Sequence, residues 1–213
     1  MDRMPRSLLL PAVAGVLVMA ACDDDDPVAP TTETATATLS SMNSESATGT
    51  AMFSLTGDQF IARVQVANAD STIVHAQHVH ASGVCPPAAA DTNSDGFIDV
   101  LEGLPFYGAI LIPLDGDIAT QSAGATSFPM ADADGDYLYA DTVSFAAMLS
   151  DLTAADPDPS DPIVKLSTSN LNLDSRTVVI HGVSDTTTLP ATVATIAGLT
   201  PQQSLPIACG TID

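Results

Sequence analysis

The hexapeptide HAQHVH at residues 75–80 holds three of the four histidines in this chain of 213 residues. His78 and His80 are two positions apart, and side chains at that spacing in a β-strand point to the same face of the sheet. Two imidazoles would then lie side by side, within reach of one metal ion. His75 is an odd number of positions from both and should face the other way. The alternative interpretation is two polar side chains on a solvent-exposed strand.

The residues on either side of this hexapeptide have the patterning of strands. Residues 50–55 and 59–66 are separated by the turn TGD, and the second segment is apolar at every second position, which is typical of a β-hairpin. Further strands are predicted at residues 73–80, 108–113, 143–149, 176–181 and 207–212. The sequence contains no convincing amphipathic helix of three turns. Several short strands joined by long loops predict an all-β sandwich or barrel.

The first 21 residues have the character of a secretory signal peptide. Arg3 and Arg6 precede an apolar run at residues 8–21, which is too short to span a bilayer comfortably. The run ends in MAAC, which resembles the bacterial lipoprotein cleavage box, so Cys22 is predicted to carry the lipid anchor. An ordinary secretory signal with a coincidental cysteine is the alternative. With the anchor, the protein is expected in the cell envelope, in the periplasm or at the cell surface, and attached to the membrane through lipid alone.

The segment after the signal peptide is predicted to be a disordered tether over residues 22–46. It begins with four consecutive aspartates and continues with a composition rich in Thr, Ala, Ser and Pro, which is typical of a solvated linker. The folded domain is then expected at residues 47–213. That length is sufficient for a hydrophobic core of its own.

The chain is strongly acidic, with 26 acidic and five basic residues and a net charge of −21. Nucleic-acid binding is excluded, because it requires clustered Lys and Arg to displace counterions. Docking on an anionic membrane surface is disfavoured for the same reason. Removal of residues 1–21 would leave three basic and 25 acidic residues, a net charge of −22. The three remaining cations are Arg63, Lys165 and Arg176.

Four short blocks of the domain together resemble the copper/zinc superoxide dismutase family. The hexapeptide, with Cys85 five residues further on, resembles the family's copper strand, and the hairpin at 49–66 resembles its opening strands. The run RTVVIH at 176–181 is similar to the strand with the last copper-ligating histidine. The segment LPIACGTI at 205–212 is similar to the closing segment with half of a disulfide. The blocks occur in the family's order, and the resemblance implies a Greek-key β-barrel or sandwich with long loops.

The resemblance also implies roles for individual residues. His78, His80 and His181 would ligate copper, and His75 would be a structural histidine that supports the copper strand. Cys85 and Cys209 would form the disulfide, as an oxidising compartment allows.

The sequence departs from the family pattern in the residues that accompany copper. No histidine lies between Cys85 and His181, so the histidine that bridges copper and zinc and the other zinc histidines are missing, and zinc is not expected. The position of the family's active-site arginine, three residues before the cysteine, is Pro206. The implied site is a copper site without a zinc neighbour, a bridging proton donor or a cationic guide for anions.

Residues 91–102, DTNSDGFIDVLE, fit the twelve-residue calcium loop of EF-hands and occupy the place of the family's zinc-binding loop. Gly96 makes the central turn. The predicted ligands are the side chains of Asp91, Asn93, Asp95, Asp99 and Glu102 and the carbonyl of Phe97. Prolines on both sides make flanking helices doubtful and favour a static calcium site over a sensor. An acidic turn in an acidic protein is the alternative interpretation. A second acidic turn, at residues 132–136, lacks a closing carboxylate and is interpreted as a solvated loop.

Three functional hypotheses remain open from the sequence. The domain could bind copper and dismutate superoxide slowly, or it could bind and buffer copper without catalysis. It could also be a calcium-stabilised structural module with a relic of a metal site. Superoxide or the copper ion is the small ligand in the first two hypotheses, and the sequence does not indicate a protein partner.

Overall fold

The computed structural model describes residues 32–120, 127–155, 163–168, 170–196 and 198–213. The predicted signal peptide and Cys22 lie outside these residues. The strands are β1 Thr32–Ser41, β2 Thr48–Thr56, β3 Gln59–Ala67, β4 Gln77–His80, β5 Ile110–Pro113, β6 Tyr137–Ser144, β7 Thr177–His181 and β8 Pro206–Thr211. The helices are α1 Val100–Tyr107, α2 Phe145–Leu152 and α3 Pro201–Ser204, with 3₁₀ turns at Ala88–Ala90 and Leu173–Ser175. No helix in the described ranges is long and apolar enough to cross a membrane.

The eight strands form an antiparallel sheet in the order β5-β4-β7-β8-β1-β2-β3-β6. Strands β1, β2 and β3 pair in sequence, and β8 returns from the end of the chain to lie beside β1, which is a Greek-key arrangement. Both halves of the sheet contribute side chains to one hydrophobic core, among them Phe53, Phe60, Leu111 and Ile180. Since one core receives side chains from both halves, the sheet curls around it. The predicted all-β Greek-key fold is confirmed.

The β2–β3 hairpin is confirmed with its predicted turn. Phe60, Ala62, Val64 and Val66 alternate into the core, and the intervening side chains face outward. The turn places Gly57 at a φ of 61°, a left-handed conformation that glycine adopts without a steric penalty.

Strand β1 corrects the predicted tether and the predicted start of the domain. Residues 32–41 pair along β2 and meet β8, although they were expected in a disordered segment that ended at 46. Only Ala37 and Leu39 of this strand are buried, because its other side chains are mostly threonine and serine at the surface. The composition of this segment therefore resembles that of a linker. Threonine, however, is β-branched and suits an extended strand. The folded domain therefore begins no later than Thr32.

The predicted strand at 143–149 is wrong over most of its length. Strand β6 lies earlier, at Tyr137–Ser144, and the chain then turns into α2. The Ser144 hydroxyl accepts a hydrogen bond from the Ala147 N–H at 3.2 Å, which is the N-cap interaction that starts a helix. The strand predicted at 73–80 is likewise shorter and begins at Gln77. The strands predicted at 108–113, 176–181 and 207–212 agree with β5, β7 and β8 within two residues at each end.

Candidate metal centre

Strands β4 and β7 bring three histidines together. The two strands pair antiparallel, with His78 opposite Val179, and the His181 N–H donates to the Ala76 carbonyl at 2.8 Å. The ring centroids of His78 and His80 are 5.6 Å apart, and that of His181 lies 5.4 Å from the first and 6.2 Å from the second. One nitrogen from each of the three rings lies within 4.8 Å of the other two. No other cluster of at least three His, Cys, Asp or Glu residues with this spacing occurs within the described residues.

The hydrogen bonds of these rings determine which nitrogens are left to bind a metal. His80 Nδ1 lies 2.8 Å from the Gly108 carbonyl oxygen, and His181 Nδ1 lies 2.7 Å from the Ser204 carbonyl oxygen. A carbonyl only accepts hydrogen bonds, so each Nδ1 carries the proton and each Nε2 presents a lone pair. This is the arrangement by which backbone carbonyls orient metal-binding imidazoles.

Within the part of the chain that the structure describes, three buried ring nitrogens have no hydrogen-bond partner: His78 Nδ1, His80 Nε2 and His181 Nε2. Leaving a buried polar atom unsatisfied costs about 1–3 kcal/mol, and three such atoms in one cluster need an explanation. A bound metal ion provides one, because it would accept all three lone pairs. The residues present therefore fit a three-nitrogen metal site.

Burial keeps all three imidazoles neutral near pH 7. It lowers the pKa of His80 to about 3 and that of His181 to about 4, and it holds the pKa of His78 well below its ordinary value. The positive charge of neighbouring imidazolium groups lowers the pKa of His78 and His80 further. All three imidazoles are thus neutral over the physiological range, as metal binding requires.

Acidification is expected to destabilise the metal-free protein as the pH falls from about 6.5 to 4. Unfolded histidines take up protons near pH 6.5, whereas the folded ones do so only near pH 3–4, so the unfolded chain binds more protons between these values. For His80 alone the loss at pH 5 is about 2 kcal/mol. Urea unfolding at pH 7 and pH 5 measures the free energy of unfolding at each pH. The decrease between the two pH values should be smaller for His80→Gln than for the wild type. Equal losses in the two proteins would contradict this origin.

Two aromatic rings cover the histidines. Tyr107, at the end of α1, is fully buried with its ring centroid 4.5 Å from that of His80, and its hydroxyl donates to the Val100 carbonyl at 3.1 Å. Phe128 meets His78 edge to face at 5.4 Å. Sequence reasoning missed both residues, and the only available signal was that aromatic residues are scarce in this chain.

His75 precedes β4, which begins at Gln77, so the alternation expected of a strand over residues 73–80 does not extend to it. Its Nδ1 is 3.0 Å from the carbonyl oxygen of His181, and its Nε2 is 2.7 Å from that of Asp70. Both ring nitrogens are thus engaged with the backbone, and neither belongs to the three-nitrogen cluster. Its position suits a supporting role behind the end of β7.

Cys85 and Cys209 form a disulfide between residues 124 positions apart in the sequence. The bond joins the loop after β4 to the middle of β8, and it packs in a small cluster with Tyr107 and Val179. It therefore fastens the loop that leaves the histidine strand to the strand beside β7.

The predicted calcium loop is ordered mainly by its own backbone. Asp91 accepts from the Gly96 N–H at 2.9 Å, Asp95 from the Phe97 N–H at 2.9 Å, and Glu102 from the Thr92 N–H at 2.8 Å. Within the described residues the carboxylates do not converge as a cluster comparable to the histidines. The loop therefore has oxygen atoms at the sequence positions of calcium ligands, but these atoms are not gathered around a single point.

A helix begins at Val100, within the last three residues of this loop, although flanking helices were doubtful from the sequence. Asp99 and Glu102 form a capping box at the start of α1, and Pro105 is accommodated inside the helix. Two carboxylates of the loop also bind the segment before α3: Asp95 accepts from the Thr192 hydroxyl at 2.6 Å and Asp99 from the Ala194 N–H at 2.7 Å. The loop thereby joins α1 to residues 192–194.

The cations of the described residues lie away from the histidines. Lys165 pairs with Asp151 at 2.9 Å, Arg176 donates to the carbonyls of Ala81 and Leu171, and Arg63 is exposed on β3. Pro206 begins β8 opposite His181. None of the three basic side chains lines the cavity at the histidines.

The fold and the cluster define an all-β domain with a three-histidine site of the kind that holds a metal ion. No family model and no curated protein matches the chain. Among solved structures, it is similar to a double mutant of a SOD-like protein from Bacillus subtilis, with 15% identity over 83% of this chain and 95% of the other. The TM-score is 0.43. The description of the site therefore rests on the strand pairing and the ring nitrogens themselves.

Proposed function

We propose that this domain binds one copper ion through His78 Nδ1, His80 Nε2 and His181 Nε2, as a divergent protein of the superoxide dismutase type. The observation that carries the proposal is the group of three buried, unpartnered nitrogens. Imidazole nitrogen is a favoured copper ligand, and copper stands above zinc in the usual affinity order of divalent metals. The resemblance of the sequence blocks to the copper strand favours copper over other metals. Zinc is not part of the proposal, because the bridging and zinc-binding histidines are missing.

Slow superoxide dismutation is the catalytic part of the proposal. Bound copper would supply one-electron chemistry by alternating between two oxidation states. The protein offers little help to an anionic substrate, since its net charge is −21 and Pro206 occupies the place of the family's arginine. Electrostatic steering of superoxide would therefore be unfavourable, and a rate near the diffusion limit is not expected.

A dismutase assay separates slow catalysis from copper buffering. Copper-loaded protein should inhibit the reduction of cytochrome c by xanthine oxidase, and copper-treated His78→Ala should not. If the two proteins behave alike while the wild type holds one copper per chain, the domain is a copper-binding protein without dismutase activity. If neither binds copper, the calcium-stabilised module with a relic site is the remaining hypothesis.

We also propose that residues 91–102 bind calcium and stabilise the domain. The support is the order of oxygen ligands in the sequence and the position of the loop, which joins α1 to residues 192–194. Binding would draw the carboxylates together in place of their present backbone hydrogen bonds. A static site is expected, because only one short helix begins at the end of the loop and a 3₁₀ turn precedes it.

Calcium at 100 times its dissociation constant is expected to stabilise the protein by about 2.7 kcal/mol and raise its Tm by about 5–10 °C. Glu102→Gln should lose most of this increase, because the amide of glutamine has no negative charge and only one oxygen with which to bind calcium. Asp134→Asn, in the second acidic turn, is the matched control and should keep the increase. An unchanged Tm of the wild type in millimolar calcium would refute the calcium site.

Envelope attachment through lipid on Cys22 is proposed from the cleavage box alone. Protein expressed with its native N-terminus should partition into detergent and carry a diacylglyceryl mass on Cys22. Cys22→Ser should remain in the aqueous phase as an unmodified chain.

A further inference from the structure

A cavity of about 360 Å³ adjoins the three histidines. His78, His80 and His181 all contribute to its lining, and the remaining walls come from α1, β5 and the segments around 163 and 196–204. Its volume lies within the range of small-molecule sites in proteins. A ligand in this cavity would therefore lie against the side chains of the three histidines.

The walls of the cavity are mainly aliphatic. Six leucine and isoleucine side chains line it: Leu101, Leu104, Ile110, Ile163, Ile196 and Leu199. Among the described residues, none of the lining side chains is Lys, Arg, Asp or Glu. Polar side chains of the lining are already engaged, since Gln203 accepts from the Thr200 N–H and the Ser204 hydroxyl donates to Thr195. The cavity provides apolar surface with few free hydrogen-bonding groups.

Part of this apolar surface is exposed to solvent. Leu101 is 51% exposed and Leu104 is 43% exposed, and they lie three positions apart on one face of α1. Leu199, on the other wall, is 39% exposed. Large exposed aliphatic side chains that share a concave surface indicate a binding site more often than solitary ones do. Here the surface leads to the side chains of the three histidines.

We infer that the ligand of this site is a neutral molecule with an apolar body and one uncharged donor atom, bound to copper through that atom and to the aliphatic walls through its body. This inference rests on the proposed copper site. Small anions are disfavoured, because the walls offer them no cation and the chain as a whole is strongly negative. An apolar body, in contrast, gains free energy by displacing water from the aliphatic walls.

The test compares imidazole, 4-phenylimidazole and azide as ligands of the copper-loaded protein, followed by the visible absorption of Cu(II). Imidazole offers the metal a nitrogen donor with no apolar body, and 4-phenylimidazole adds an aromatic body to the same donor. Azide offers a nitrogen donor that carries a negative charge. We expect 4-phenylimidazole to bind about 10–100-fold more tightly than imidazole, because its additional aromatic ring is buried against the aliphatic walls. Azide should bind more weakly than either.

Variants locate the effect in the cavity. Leu104→Asn should reduce the preference for the phenyl compound to a few-fold. Leu138→Asn is the matched control, because Leu138 is a 65% exposed leucine on β6 that does not line the cavity, and it should keep the full preference. Equal affinity for the two imidazoles, or an undiminished preference in Leu104→Asn, would overturn the inference while copper remains bound. Failure to bind copper at all would instead overturn the proposed function.

Discussion

Replacement of His80 by alanine is expected to weaken copper binding by at least about 100-fold, because loss of an inner ligand should exceed the 10–100-fold cost typical of losing its supporting hydrogen bond. His80 contributes one of three nitrogens and lies between the two others and Tyr107. Competition titration against a chelator of known copper affinity, monitored on the folded protein, measures the change.

His75→Gln is the control for this substitution, because the chain has only four histidines and His75 is the one outside the cluster. Loss of its hydrogen bonds to the backbone of Asp70 and His181 is expected to lower the stability of the fold. The copper affinity of this variant should stay within a few-fold of the wild-type value. The assignment of ligands would be wrong if His75→Gln lost copper as completely as His80→Ala, or if His80→Ala bound copper as the wild type does.

Removal of the disulfide is the second change with a large expected effect. The bond closes a loop of 124 residues, and the chain-entropy model assigns such a closure about 4–5 kcal/mol of stability. This is a large fraction of the usual stability of a domain. Cys85→Ala with Cys209→Ala should therefore move the urea midpoint strongly downward relative to the oxidised wild type.

The same variant also tests what the disulfide does for the metal site. Cys209 is paired with Val179 in β7, one strand away from His78, so the sheet around the histidines should persist where the variant remains folded. Wild-type protein under reducing conditions is the matched control and should unfold at the same urea concentration as the double variant. A free energy of unfolding within about 1 kcal/mol of that of the oxidised wild type would show that the closure contributes little.

Part of the site could be predicted from local patterns. The spacing of His78 and His80 placed two imidazoles on one strand face, whereas His75 precedes β4 and strand alternation does not determine its orientation. His181 joins them only through the pairing of β4 with β7, which are about 100 positions apart in the sequence. No periodicity within either segment determines that pairing, and the resemblance to a family supplied it. The choice of ligand nitrogens depends further on the Gly108 and Ser204 carbonyls, which belong to loops.

The errors have equally specific causes. Residues 32–41 were predicted to be unstructured because threonine and alanine give little hydrophobic signal, and the strand is stabilised by its neighbours on both sides rather than by its own burial. The helix after Ser144 was missed because residues 143–149 are apolar without clear alternation, a pattern that strands and buried helices share. The aliphatic cavity combines residues of α1 with residues around 163 and 199, a long-range arrangement that the sequence does not reveal.

Copper coordination by three imidazoles is tested most directly by electron paramagnetic resonance of protein loaded with Cu(II), together with metal analysis. The predicted result for the wild type is one copper ion per chain with hyperfine coupling to three nitrogens. His80→Ala, loaded at high copper concentration, should show coupling to two nitrogens. A spectrum dominated by oxygen ligands, or well below one copper per chain in folded wild-type protein, would contradict the proposed site.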